Sequence, residues 1–192
     1  MVKHPAQVRG RPAAAGLSFC SCQGFPPIAR RSARVLVLGS MPGAASLAAG
    51  EYYAHPRNQF WRIVAAICGF DAAAPYRQRV ARLRAADIAL WDVIARCTRR
   101  GSLDAGIEPA SIIVNDFPAF LAAHPNLSNI FFNGRQAEIV WQRHVQPCLW
   151  PGRAPGYQRL PSTSPAHAAM TFADRLRAWR AILAAADRGA TN

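Results

Sequence analysis

The sequence predicts an α/β protein built as a three-layer α/β/α sandwich, with a central four-stranded, mostly parallel sheet. Short apolar runs such as RVLVLG (residues 34–39) stop at glycine, a pattern typical of a parallel strand that is buried on both faces. These runs alternate along the chain with helical patterns, which places helices on both faces of a parallel sheet. A length of 192 residues fits a single domain.

The first half of the chain supplies two of the four strands. After the first strand, Asn58 opens a helix with apolar residues at i, i+3, i+4 and i+7 from Phe60, and Gly69 marks its end. A second helix is predicted at 76–86. The run DIALWDV at 87–93 predicts the second strand, and the segment CTRRGSLDAGI that follows shortly after it is predicted to be a loop.

The second half supplies the other two strands. LSNIFFNG predicts a third strand that ends at Asn133, between two predicted helices. After a proline-rich loop, residues 157–160 predict a short fourth strand. The last helix is predicted to begin with a capping box formed by Thr171 and Asp174 and to end at Gly189.

Residues 1–30 are predicted to be a flexible basic tail, and residues 31–192 a single domain. The first 30 residues contain Gly, Pro and Arg, have no acidic residue, and lack the apolar core of a secretion signal. Two roles remain open for this arm, namely contact with a polyanionic partner or no role at all.

Charge is the strongest signal in the composition. The formal net charge is +13, and Lys3 is the only lysine. Coding composition explains part of the arginine content but not the scarcity of acids, so the surplus favours a polyanionic partner. The five cysteines are scattered without a CxxC pair, which favours a reduced, cytoplasmic location over a disulfide framework. We expect no metal site, no cofactor and no membrane span.

Polar segments follow the predicted strand ends, where open α/β sheets bind ligands. They are the turn GSMPG at 39–43, the loop YYAHPRN at 52–58, Asn133-Gly134, and LPSTSPA at 160–166. Each segment could also have a purely structural role: a strand-to-loop turn, a helix cap, a turn asparagine and a Ser/Pro turn. Their joint occurrence in this order is more specific than any one of them.

Together, GSMPG, YYAHPRNQFW, LWDVIARCTRRGSLD and FFNG with LPSTSPA resemble the uracil-DNA glycosylase superfamily, and most of all its branch that removes hypoxanthine from DNA. The similarity spans about residues 34–183, and PRNQFW also resembles the loop of mismatch-specific uracil and thymine glycosylases. Met41 stands where the mismatch-specific enzymes have a polar residue that positions water. Leu160 stands where the uracil enzymes usually have a histidine.

The resemblance implies a monofunctional DNA glycosylase that flips a deaminated base out of DNA and hydrolyses its glycosidic bond. It points to Asn58 as the residue that orients the attacking water, to Ser40 as a second candidate, and to Asn133 as the base-recognition residue. The other implied base-pocket residues are Gly39, Met41, Pro42, Gly43, Tyr53 (or the neighbouring Tyr52) and Phe60. The predicted DNA contacts are His55, Arg57, Arg96, Arg99, Arg100, Arg135, Ser162, Thr163 and Ser164. A monomer is the family expectation.

Three alternatives remain open. Uracil, xanthine or a broader set of mismatches would be substrates within the same superfamily. Met41 keeps open a DNA-binding module with weak or lost catalysis. An unrelated small-molecule hydrolase with a Gly-rich loop is opposed by the charge of +13 and by the lack of a Ser/His/Asp set.

Overall fold

The computed structural model describes residues 19–149, 155–167 and 169–188. Its central sheet contains the strands β2 (Val35–Gly39), β3 (Ile88–Asp92), β6 (Asn129–Asn133) and β7 (Gly156–Leu160). The strand order is β3-β2-β6-β7, and every neighbouring pair is parallel. The predicted fold class is confirmed.

Helices cover the sheet on both sides. They are α1 (Ala44–Ala49), α2 (Phe60–Cys68), α3 (Tyr76–Ala85), α4 (Phe117–Ala123), α5 (Arg135–Val140), α6 (Phe172–Trp179) and α7 (Ala181–Arg188). Gly69 ends α2 in the left-handed conformation with φ +70°, and the Thr171 hydroxyl accepts a hydrogen bond from Asp174 N at the start of α6, so both predicted caps are confirmed. Gly189 lies outside the described residues. Within the described part of the chain, no helix is long and apolar enough to cross a membrane.

One face of the sheet packs against aromatic side chains. Leu38 pairs in register with Trp91 and Phe132, so these three side chains point to the same face. The Trp91 ring lies 5.2 Å from Phe117 of α4, and the Phe132 ring lies 5.8 Å from Trp141, in the π-helical turn after α5. The α4 and α5 segments therefore form one helical layer.

The next row of strand residues faces the opposite way, because side chains alternate along a strand. This row contains Asp92, Gly39 and Asn133, at the carboxyl ends of three adjacent strands. The helices α2 and α6 pack together on this side, where the rings of Phe60 and Trp179 are 5.8 Å apart. The parallel sheet thus delivers Asp92 and Asn133 to one edge, where such folds bind ligands.

A second, antiparallel sheet was not predicted. It consists of β1 (Phe19–Gln23), β4 (Ile94–Arg100) and β5 (Ile113–Val114), in the order β1-β4-β5. The predicted loop after the second strand therefore begins inside β4, and part of the predicted tail is a strand; residues 1–18 lie outside the described range. Cys22 of β1 and Cys97 of β4 lie opposite each other and are both buried, and burial of these side chains stabilises the pairing of the two strands. The arginines that alternate with them make the segment look like a polar loop.

Helix α1 was also missed, since no helix was predicted between the turn at 39–43 and the loop at 52–58. Its six residues are too few for a periodic pattern to stand out. The helix ends at Gly50, which has φ +66°. Helix α1 carries the chain from the turn after β2 to the tyrosines of the predicted site.

Candidate active site

Gly39 has no side chain and therefore leaves a gap at the carboxyl edge of the sheet. It lies on the central strand between Asp92 of β3 and Asn133 of β6, which the strand spacing places about 10 Å apart. A Cβ at position 39 would collide with Asp92 Oδ1 and would lie 3.0 Å from the Tyr53 hydroxyl oxygen. Only glycine therefore leaves room for these two side chains.

Tyr53 lies over this gap and is supported from one side by Phe60. The two rings are stacked, with centroids 4.1 Å apart and an interplanar angle of 23°. Tyr53 has φ +55°, an uncommon conformation for a bulky residue and one that is often found at functional sites. Burial, and then the neighbouring Asp92, raises the pKa of its hydroxyl, so this group stays protonated.

Two of the predicted aromatic contacts are not available to a base. Phe60 is fully buried, so the prediction that it contacts the base directly is wrong, and it acts as the support for Tyr53. Tyr52, the alternative stacking residue, is also buried. Its hydroxyl lies within hydrogen-bond distance of the carbonyl oxygens of Phe25 and Pro26.

Asn133 is held at the edge by Thr163. The Asn133 Oδ1 accepts a hydrogen bond from Thr163 N, and its Nδ2 donates to Thr163 Oγ1, both at 2.9 Å. A backbone N–H can only donate, so this contact fixes which end of the amide is oxygen. One further donor and one further acceptor of the amide remain, and the Tyr53 hydroxyl lies close enough to this side chain to compete with a ligand for them. Thr163 itself is 1% exposed, so the prediction that it contacts the DNA backbone is wrong.

Asn58 lies one residue before Gln59, the N-cap of α2, and its side chain makes a capping bond to the first turn, close to the structural role open to it from the sequence. Its Oδ1 accepts a hydrogen bond of 3.0 Å from Phe60 N, and its backbone N–H donates to His55 O at 2.8 Å. His55 Nδ1 accepts from Arg57 N at 3.2 Å, which tightens the loop further. The Asn58 side chain is half-buried, and its Nδ2 has no hydrogen-bond partner among the described residues. The cap therefore leaves a donor free.

The turn after β2 contributes backbone N–H groups to the candidate site. Met41 and Pro42 are buried, and the Met41 side chain belongs to the core, so any contact of Met41 with a base is left to its backbone. Within the described ranges, no acceptor bonds the backbone N–H of Met41 or Gly43. Two donors are therefore free in this turn, which suits a developing negative charge.

Three charged side chains at this edge form a cluster that the sequence pattern did not reveal. Arg99 is 1% exposed, so the prediction that it contacts phosphate is wrong, and its charge lowers the pKa of both Asp92 and Asp104. Burial, and then Asp104, raises the pKa of Asp92 to about 8, against the effect of Arg99. The presence of Asp92 in the site could have been inferred, because it lies near the end of a predicted strand. Asp104 lies in the turn after β4, and β4 was not predicted.

The remaining predicted DNA contacts lie on or near the surface. Arg57, Arg96, Arg100 and Arg135 are exposed, while Ser162 and Ser164 are half-buried. The Arg100 guanidinium lies 4.4 Å from the centroid of the Phe19 ring. In the parts of the chain that the structure describes, no cluster of three or more His, Cys, Asp or Glu side chains is arranged to hold a metal ion.

The chain as a whole is similar to a known protein family. Residues 26–185 match the family model of the uracil DNA glycosylase superfamily. The chain belongs to this superfamily. It is a DNA glycosylase, an enzyme that hydrolyses the N-glycosidic bond of a base in DNA.

Two relatives of this glycosylase come from Methanosarcina species. A Methanosarcina barkeri protein named hypoxanthine DNA glycosylase is 36% identical over 137 residues, which is 71% of this chain and 80% of the relative. A Methanosarcina acetivorans protein of the same name is 34% identical over 163 residues, 83% of this chain and 96% of the relative. A solution NMR structure of a candidate uracil DNA glycosylase from M. acetivorans has a TM-score of 0.73 and 29% identity, covering 88% of this chain and 99% of its own.

Proposed function

We propose that this glycosylase removes hypoxanthine from DNA by hydrolysis and leaves an abasic site. Two relatives at 36% and 34% identity carry the name hypoxanthine DNA glycosylase. The observation that carries the proposal is the fixed Asn133 amide, which offers one donor and one acceptor at the sheet edge. Hypoxanthine presents an N–H donor beside a carbonyl acceptor, which an oriented amide can bind at both groups.

The base enters the site after it has been flipped out of the duplex. Extrusion costs a few kcal/mol and least at a mispaired base, so the poor pairing of hypoxanthine with thymine favours this lesion. Tyr53, supported by Phe60, forms the surface on which the flipped base stacks. The free backbone N–H groups of Met41 and Gly43 stabilise the charge that develops on the leaving base.

Water attacks the sugar as the glycosidic bond breaks. The free Nδ2 of Asn58 positions this water, while the capping bond of its Oδ1 keeps the side chain in place. An amide is not a base at neutral pH, so this role is positional. The single lysine, Lys3, lies in the N-terminal segment, so the reaction is monofunctional and forms no Schiff base. We expect a monomer that acts in the cytoplasm.

The test is a cleavage panel on oligonucleotides that carry inosine, uracil, xanthine or a thymine mismatch, with alkali treatment to break abasic sites. We expect breaks at inosine. Cleavage at uracil alone would replace the proposed substrate with another of the superfamily, and DNA binding with no cleavage of any substrate would favour the catalytically weak module.

A variant pair tests the site within the same panel. Asn58→Ala should lower base release by about 100-fold or more while DNA binding is retained. Asn126→Ala replaces an exposed asparagine that precedes β6, at the opposite end of the sheet, and is the matched control. Borohydride should trap no covalent adduct with DNA; an adduct would contradict the monofunctional mechanism.

A further inference from the structure

Ser40 and Asp104 form a hydrogen-bonded pair at the edge of the site. The Ser40 hydroxyl lies 2.8 Å from each oxygen of the Asp104 carboxylate. Ser40 follows the last residue of β2, and Asp104 begins the short helical turn after β4. A second bond, from Ala44 N to Ser102 Oγ at 3.0 Å, ties this turn to the start of α1. Two separate segments thus hold the pair.

The direction of this bond decides what Ser40 can offer. A hydroxyl has one hydrogen to donate and two lone pairs that accept. A carboxylate can only accept, so the Ser40 hydrogen points to Asp104 and the lone pairs of its oxygen remain for another donor. At the end of the central strand, next to Gly39, Ser40 therefore presents an acceptor.

The charges around Asp104 favour its ionised form over that of Asp92. Burial raises the pKa of Asp104, while the Ser40 hydrogen bond, Arg99 of β4 and His167 of the loop after β7 lower it. Asp92 of β3 has no such hydroxyl donor, and its Oδ2 is buried without a hydrogen-bond partner among the described residues. Asp104 therefore has hydrogen-bond and charge partners that favour its ionised form, whereas burial raises the pKa of Asp92 to about 8.

The Asn58 side chain has no free hydrogen-bond acceptor, whereas the Ser40 hydroxyl has one. Its Oδ1 already accepts the capping bond from Phe60 N, so its unused group is a donor. An attacking water also needs an acceptor for one of its hydrogens, so that a lone pair points to the sugar. The Ser40 oxygen is an acceptor at this same edge of the sheet, with the Asp104 carboxylate behind it.

We propose that Asp104 is a positioning residue for base removal: it orients the Ser40 hydroxyl so that the Ser40 oxygen accepts a hydrogen bond from the attacking water, and it receives a proton through Ser40 as the water attacks. This inference rests on the proposed function, because it concerns the same reaction. It adds to the site a carboxylate that compensates for Met41, whose side chain cannot position water.

The step balances in atoms and electrons. The C1′–N9 bond breaks and its electron pair goes to the base, while a lone pair of the water forms the C1′–O bond. A water proton passes to Ser40 Oγ as the Ser40 hydroxyl proton passes to an Asp104 oxygen. The base leaves as an anion and takes a proton from solvent, and Asp104 later returns its proton to solvent.

The experiment measures single-turnover base release from an inosine oligonucleotide between pH 5 and pH 9 with the full chain. The variants are Asp104→Asn, Ser40→Ala, the double variant, and Glu108→Gln as an exposed acid on the same segment. Affinity for abasic-site DNA and thermal unfolding are measured alongside, so that a loss of folding or binding is separated from a loss of the chemical step.

We expect the wild-type rate to fall at acidic pH, because a protonated Asp104 accepts no proton. Asp104→Asn and Ser40→Ala should each lower the rate by about 100-fold and flatten this acid limb. The double variant should be no slower than the slower single variant, because the two residues act as a unit. Glu108→Gln should behave like the wild type.

Two results would overturn this inference but not the proposed function. One is an acid limb of the pH–rate profile that is unchanged in Asp104→Asn while the wild type is active. The other is a double variant whose loss of rate is the product of the two single losses. If Asp104→Asn does not fold, Ser40→Ala decides, because retention of its acid limb excludes a relay through Ser40. A wild type that releases no base from any oligonucleotide of the panel would overturn both the proposed function and this inference.

Discussion

Asn133 and Thr163 bind each other through two hydrogen bonds of 2.9 Å, one in each direction. The pair joins the end of β6 to the loop after β7, and Thr163 O in turn accepts from Gln59 N at 3.0 Å. The loop after β7 thus connects Asn133, for which base recognition is proposed, to the start of α2. The buried Thr163 therefore holds Asn133 directly and bonds Gln59, the residue that follows Asn58.

Thr163→Val should slow base release and destabilise the fold only slightly. Valine keeps the backbone donor to Asn133 Oδ1 but removes the acceptor of the Asn133 Nδ2, so the amide is held at one end only. We expect about a 10-fold slower release of hypoxanthine and a free energy of unfolding lower by about 1 kcal/mol, measured by single-turnover assay and urea denaturation. Thr98→Val, at a half-buried position on β4, is the control, and equal rates in both variants would contradict the role of this pair.

Gly39→Ala should destabilise the fold and inactivate the enzyme. The added methyl group would collide with Asp92 Oδ1 and crowd the Tyr53 hydroxyl, and overpacking of this kind costs about 1–3 kcal/mol. Gly43→Ala is the control for stability, because its Cβ would meet Ser102 Oγ at an ordinary contact distance of 3.4 Å. Urea denaturation of both variants checks this prediction, which fails if Gly39→Ala is as stable as the control.

The sequence predicted the parallel sheet because three of its strands contain continuous apolar runs bounded by turn residues, which is the pattern of strands buried on both faces. It located Asn133 because this residue ends a predicted strand. It could not show that Thr163 is buried or that Arg99 points inward, since both depend on the pairing of β4 and on how the last loop packs. An arginine in a polar segment looks like a surface residue until its strand partners are known.

Asp92→Asn should change how stability depends on pH. Burial raises the pKa of Asp92 to about 8 in the folded protein, whereas an unfolded aspartate has a pKa of about 3.9. Between these values the folded state keeps a proton that the unfolded state has released, so the wild-type free energy of unfolding falls as pH rises.

Asparagine does not titrate, so the stability of the variant relative to wild type should improve by about 1 kcal/mol per pH unit between pH 5 and pH 7. Urea denaturation at the two pH values measures this difference. Asp71→Asn, at an exposed position, is the control. A constant difference between Asp92→Asn and wild type would show that Asp92 is ionised in the fold.

Arg96→Gln and Arg99→Gln should separate DNA binding from stability, although both residues lie on β4. Arg96 is exposed, and its loss should weaken binding to all DNA sequences and reduce the slope of log affinity against log salt by about 1. Arg99 is buried, and its charge favours the ionised forms of Asp92 and Asp104, so removing it should lower the free energy of unfolding by about 3 kcal/mol. Fluorescence anisotropy across a salt series and urea denaturation measure the two effects. An unchanged salt slope in Arg96→Gln would remove this arginine from the DNA-binding surface.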